Sequence, residues 1–118
     1  MKAEIKYIHS PDVEDLTSWS PRTPNFSVLV QVVVGPEGSD GEESFDVVFC
    51  TPGWLAQKAQ DTGIVDGRHM YVVSSWNWPI IQQYLDQRVT EIIADDWDGL
   101  ATLLGRFGKW EFEDYNKD

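Results

Sequence analysis

FSVLVQVVVGPEGSDGEESFDVVFCTPGWL, residues 26–55, is the stretch on which the fold turns. Phe26, Val28, Val30, Val32 and Val34 form an apolar stripe at period two, and Ser27, Leu29, Gln31 and Val33 between them are mixed. Phe45, Val47 and Phe49 repeat the stripe on the return, against Ser44, Asp46, Val48 and Cys50. β-Branched and aromatic residues at this spacing predict two strands with one buried and one partly covered face. The residues between, Gly35 to Glu43, hold three glycines, one proline and four carboxylates, which makes a long acidic turn. Thr51-Pro52 then changes the period, because threonine caps a helix N-terminus and proline suits its first position. The stretch reads as a central hairpin feeding a helix.

Outward from the hairpin, Lys2 to His9 alternates with Ala3, Ile5, Tyr7 and His9 on one side, which predicts a first strand. Asp12–Leu16 has room for one helical turn, and Ser20-Pro21 and Thr23-Pro24 make an extended connection. Downstream, a short helix runs from Thr51 to about Gln60, with Trp54, Leu55 and Ala59 inward and Gly63 as its stop. Arg68 to Trp76 is apolar on both sides and predicts an interior strand. Asn77 caps a helix over 78–93 whose stripe is Ile80, Ile81, Tyr84, Leu85, Val89 and Ile92. Asp95-Asp96 opens another over 97–107 with Trp97, Leu100, Leu103, Leu104 and Phe107, and Gly108 is its expected cap. Residues 109–115 alternate apolar and acidic, as a short strand or packed tail does. The fold class is α+β, one domain over 1–118: about four strands, mainly antiparallel, with two C-terminal helices on the sheet.

Charge is the most informative bulk property. Nine basic against twenty acidic residues give a formal net charge of −11. Thr23 to Gln57 contains no Lys or Arg but holds Glu37, Asp40, Glu42, Glu43 and Asp46, and a second basic-free run carries Glu91, Asp95, Asp96 and Asp98. Such a surface repels nucleic acid and anionic lipid and attracts cationic partners, while also serving solubility. One cysteine, Cys50, forms no internal disulfide and suits a reducing compartment. No stretch reaches the apolar length of a membrane span, and a cytoplasmic location is expected.

Site chemistry is sparse. Gly35-x-x-Gly38-x-x-Gly41 lacks the lysine and the helix start of a phosphate-binding loop. Asp96-x-Asp98-Gly99 has Ala94 at the preceding ligand position of a calcium loop, so a helix start explains it better; weak cation binding at the 35–43 tip stays open. His9 and His69 fall on separate predicted strands, Cys50 has no basic neighbour in sequence, and paired metal-ligand spacings are absent. No enzyme, cofactor or metal is expected. Trp19 has no periodic partner, and an exposed tryptophan flanked by Asp12, Glu14 and Asp15 suits an interface anchor.

The wording of the chain adds to this reading. His9-Ser-Pro-Asp-Val13, Gly35-Pro-Glu-Gly38, Gly41-Glu-Glu-Ser-Phe-Asp46, Cys50-Thr-Pro52 with Trp54-Leu55, Gly67-Arg-His69 and Gly108-Lys-Trp-Glu-Phe-Glu-Asp-Tyr115 resemble, in order, the immunity protein 8 family. These are small bacterial proteins of polymorphic-toxin and contact-dependent inhibition loci. The resemblance implies an immunity protein that binds the C-terminal domain of a cognate toxin and acts by stoichiometric occlusion. The acid excess favours a basic, nuclease-like toxin. Contact is expected first at Glu37, Asp40, Glu42 and Glu43, then at Asp12, Glu14, Asp15 and Trp19. An acidic adaptor or regulatory subunit without a toxin shares the same bulk properties, and a homodimer through 109–115 is a further expectation.

Overall fold

The computed structural model describes residues 1–112. Its strands are β1 (Ala3–His9), β2 (Ser27–Pro36), β3 (Glu43–Cys50), β4 (Met70–Val72) and β5 (Lys109–Trp110). Its helices are α1 (Pro52–Thr62), α2 (Trp78–Thr90) and α3 (Trp97–Leu104). β1, β2, β3 and β4 lie side by side in that order, and β5 joins β3. The β1–β2, β2–β3 and β3–β5 ladders are antiparallel. β3 and β4 run parallel, so α1 is the crossover of a β-α-β unit and the sheet is mixed at that edge. The far side of β3 is shared: β4 takes Val48–Cys50, and β5 takes Phe45 and Asp46.

The hairpin behaves as its alternation dictates. Val30 faces Val47 across the ladder, Val28 faces Phe49 and Val32 faces Phe45, which puts all six on one face. Val30, Val32, Phe45 and Val47 are completely buried. Ile81, Leu85 and Val89 of α2, Leu100, Ala101 and Leu104 of α3, and Phe107 beyond it close over that face. Burying each such side chain contributes roughly 1.5–3 kcal/mol, so this layer is the main source of stability. α1 adds nothing to it: Trp54, Leu55 and Ala59 are only half-buried and none belongs to the core.

Helix ends follow the expected chemistry. Thr51 accepts the Trp54 amide at the start of α1, Asn77 caps α2 through the Ile80 amide, and Asp96 caps α3 through the Gly99 amide at 2.8 Å. Gly63, at φ +85°, ends α1. α3 is shorter than its apolar stripe predicts. It ends at Leu104, and the chain turns through Gly105 to Gly108 with Phe107 still buried, so Gly108 lies beyond the helix rather than capping it. α2 likewise stops at Thr90, and Ile92 packs on the core from the following turn.

Four expectations need correction. β1 carries a bulge: Ile5 lies opposite Val34 but Tyr7 opposite Val33, so the register slips at Lys6. An extra residue inverts the alternation after it. Ala3, Ile5 and Ile8 therefore pack with the core while Tyr7 and His9 turn to the opposite face, where their rings lie 5.5 Å apart. This packs the Ile8 side chain against the core and leaves Tyr7 50% exposed. Next, β4 is a three-residue edge strand, not an interior one. Tyr71 and Val73 pack inward, and Val72 is 55% exposed beside Ile80 at 63%. Asp12–Leu16 forms no helical turn; a turn falls at 16–18, where Leu16 plugs the core and its carbonyl accepts the Trp76 indole N–H at 2.9 Å. Finally, Ile80 and Tyr84 face outward from α2 rather than completing its buried stripe.

Candidate partner-binding surface

The acidic turn is tethered by β1. The Lys6 ammonium reaches up to pair with Glu4 and donates to the carbonyls of Ser39 at 2.9 Å and Pro36 at 3.3 Å. The Glu4 carboxylate also accepts the Gly38 amide, and the Glu37 amide donates to the Lys2 carbonyl. The Lys6 bond, followed by the Gly38 amide, holds Glu4 below the usual carboxylate range. Glu37, Asp40 and Glu42 are exposed on this tethered loop, and Glu43 is half-buried as the first residue of β3. Gly35 has to be a glycine here, because a Cβ would run into the Gly41 carbonyl.

Asp12, Glu14 and Asp15 are exposed at the other end of β1. Six residue steps of strand separate the two ends, about 20 Å at roughly 3.4 Å per step. The two expected contact groups are therefore not brought together. Asp15 is organised locally: the Thr17 hydroxyl and amide donate to it at 2.6 and 2.9 Å, which lowers its pKa. Trp19 is not exposed beside these acids. It is half-buried, its ring edge-on to Trp76 at 5.0 Å and to Phe26 at 5.3 Å, so its indole belongs to the aromatic packing of the body.

The structure adds a neighbour that linear reading missed. Lys2 bridges Ile93, and the Ala94 amide donates to the Met1 carbonyl at 3.1 Å. Because Lys2 also holds Glu37, the exposed acids Asp95, Asp96 and Asp98 share the end of the molecule that carries the tip. Nothing local signals this, since the contact joins residues about ninety positions apart.

The two histidines are separated. His9 lies on β1, and His69 precedes β4, three strand spacings away, or about 14 Å. His69 Nε2–H donates to the Gly105 carbonyl at 2.7 Å from a backbone at φ +61°, so it ties the β4 approach to the end of α3. Cys50 is buried, which pushes its thiol pKa up and away from reactive thiolate. Among the described residues, no group of three His, Cys, Asp or Glu side chains is placed to hold a metal ion. None of the described helices is long and apolar enough to cross a membrane. Lys109–Trp110, the start of the expected homodimer edge, has one side taken by β3; residues 113–115 lie outside the described residues.

Neither the curated proteins nor the solved structures contain a match to the chain. The family model for immunity protein 8 matches residues 3–115, from the first residue of β1 through and beyond the β5 strand that closes the sheet. With that span nearly the whole of its length, the chain belongs to the immunity protein 8 family.

Proposed function

We propose that this chain neutralises a cognate toxin domain by stoichiometric binding in the cytoplasm of the producing cell, and that the toxin presents a basic, nuclease-like surface. Membership of an immunity family supports a toxin as the partner. The observation that carries the finer reading is the exposed, tethered acidic turn: Glu37, Asp40 and Glu42 project from a loop that Lys6 and Glu4 hold in place. A preorganised acidic loop loses little freedom on docking, and its field speeds encounter with a cation-rich cleft. Carboxylates placed where phosphates would lie block substrate as well. The same charge disfavours nucleic acid as a direct partner, and occlusion needs no chemistry from the chain itself. Asp12, Glu14 and Asp15 form a second patch, too far from the tip to meet one side chain of the toxin but within reach of a standard interface.

The test is co-expression with the toxin domain encoded beside this gene, scored for growth and for a one-to-one complex. Rescue with a stable complex is expected; loss of both sinks the immunity reading. Reversing Asp40, Glu42 and Glu43 to Lys is expected to slow association at low salt and flatten its salt dependence. An unchanged association rate would take the turn out of the interface.

A further inference from the structure

The two outer strands of the sheet are finished differently. At β1 the bulge at Lys6 breaks the register, and the Lys2 bridge to Ile93 closes the first end. β4 has only its shortness to protect it, since Met70-Tyr71-Val72 carries no charge, no proline and no bulge. The Val48 amide donates to the His69 carbonyl and the Val73 amide to the Cys50 carbonyl, both at 2.9 Å, so alternate residues of this run face β3. The Val72 amide and carbonyl therefore point the other way, where no strand of the described residues lies. α2 overhangs that side. Its buried row is Ile81, Leu85 and Val89, and the row beside it is Ile80, Tyr84 and Arg88, with Ile80 63% exposed. Between this second row and Tyr71–Val73 runs an apolar groove of about 280 Å³. The helix thus offers apolar cover for about one strand more than the sheet contains. At the Tyr71 end of the groove the Arg88 guanidinium lies 5.6–5.9 Å from the ring centres of Phe107, Tyr71 and Tyr84 and donates to the Tyr84 hydroxyl at 2.9 Å. No carboxylate of the described residues pairs with it.

We infer that the open edge of β4 receives an extended segment of the toxin domain as a further strand, with an apolar side chain in the groove and a carboxylate on Arg88. The inference rests on the toxin-binding reading and adds to it a contact site away from the acidic turn. Unpaired backbone groups along an edge are met by the backbone of another strand, and pockets beside the edge take its alternate side chains. The spacings agree. Side chains two apart on one face of a strand are separated by about 6.8 Å, and Ile80, Tyr84 and Arg88 follow one another at about 6 Å along α2. One side chain of the incoming strand enters between Ile80 and Tyr84, and the next on that face meets Tyr84 and Arg88. A carboxylate is the partner the guanidinium lacks, and its planar fork binds one through two parallel hydrogen bonds. In a chain of net charge −11, an acid of the partner is repelled by most of the surface and attracted here, which fixes where the segment docks. Two copies of the chain, each at −11, repel one another, which makes the toxin rather than a second copy the occupant.

Calorimetric titration of the full chain with the toxin domain, together with amide exchange of the complex, tests this. Ile80→Asp and Arg88→Met are each expected to raise Kd about tenfold or more. Ile80 is exposed in the first turn of α2, where an acid suits the helix dipole, so Ile80→Asp is expected to leave the urea midpoint of the free chain unchanged. The Val72 amide is expected to exchange about tenfold or more slowly in the complex than in the free chain, a change that a merely structural role for Ile80 or Arg88 would not produce. A wild-type complex in which Val72 exchanges as fast as in the free chain, or whose Kd ignores Ile80→Asp, overturns this inference and leaves the immunity reading standing. A free chain that sediments as a dimer and returns to monomer with Ile80→Asp makes a second copy the occupant and overturns it as well. Failure of the wild-type chain to bind overturns the immunity reading and this inference with it.

Discussion

Thr51 joins three parts of the fold through one hydroxyl, and replacing it with valine isolates what that oxygen does. The side chain is 2% exposed. Its Oγ1 accepts the Phe26 amide at 3.0 Å, just ahead of β2, and the Trp54 amide at 3.4 Å as the cap of α1. The hydroxyl in turn donates to Asn25 Oδ1 at 3.3 Å. Valine has nearly the same shape and no acceptor. Losing the cap costs about 1 kcal/mol. Leaving the buried Phe26 amide without a partner costs about 1–3 kcal/mol. Burying a methyl in place of the hydroxyl offsets about 1 kcal/mol, so the net loss is about 1–3 kcal/mol. With a urea slope of roughly 2 kcal/mol/M for a domain of this size, the midpoint falls by about 0.5–1.5 M. Thr51→Ser keeps the oxygen and gives up one methyl, a loss of about 1 kcal/mol. Urea unfolding followed by tryptophan fluorescence measures both, with the slope expected unchanged. Valine matching wild type, or serine proving as damaging as valine, would refute the hydrogen-bond account.

Further outcomes follow from other parts of the structure. Leu85→Ala, at a fully buried position of α2, is expected to cost about 2–5 kcal/mol by the same assay; a loss under about 1 kcal/mol would mean that α2 is not seated on the sheet as described. Glu4 titrates below its usual range when folded, so its contribution is present at neutral pH and is lost as pH falls through that lowered value. The stability gap between wild type and Glu4→Gln is therefore expected to close on acidification below the normal carboxylate range, and a gap independent of pH would contradict the Lys6–Glu4–Gly38 arrangement. Lys6→Met removes the bonds to the Pro36 and Ser39 carbonyls. Amide exchange across residues 37–41 is expected to quicken while core amides of β2 and β3 stay protected; unaltered exchange at the turn would show that Lys6 does not tether it.

How much was legible depended on how local the signal was. The hairpin and the starts of all three helices rest on alternation and on a capping side chain a few residues from its target, as with Thr51, Asn77 and Asp96. The β1 bulge was not legible, because Ile5-Lys6-Tyr7-Ile8-His9 alternates plausibly in either phase and only the partner strand decides which phase is buried. Met70 to Val73 looked interior because an apolar run says nothing about whether the second face meets a strand or a groove. Leu16 and Trp19 sit in a Pro-rich connection without period, yet Leu16 fills the core and Trp19 packs edge-on against Trp76. Their partners lie far along the chain, and no spacing rule reaches them. For the candidate surface, the acids of the turn were visible as composition, whereas the exposed pair of Tyr7 and His9 exists only once the bulge has turned both outward.

That dependence changes what the acidic residues can be asked to do. At physiological salt a charge acts over about 8 Å before screening, so acids at opposite ends of β1 steer a partner independently rather than as one field. The end carrying Glu37, Asp40, Asp95, Asp96 and Asp98 is exposed and water-screened, which suits it to accelerate encounter and contributes little to the lifetime of a complex. Glu43 is the opposite case: it pairs with Val34, so its side chain lies on the face of the sheet that carries Phe45, with one oxygen out of water. Charge reversal at the outer turn is therefore expected to slow association and to leave the rate of release nearly unchanged. The bulge at Lys6 lets one strand serve both ends of this arrangement: the lysine holds the turn, and the tyrosine beyond it faces the open side of the sheet.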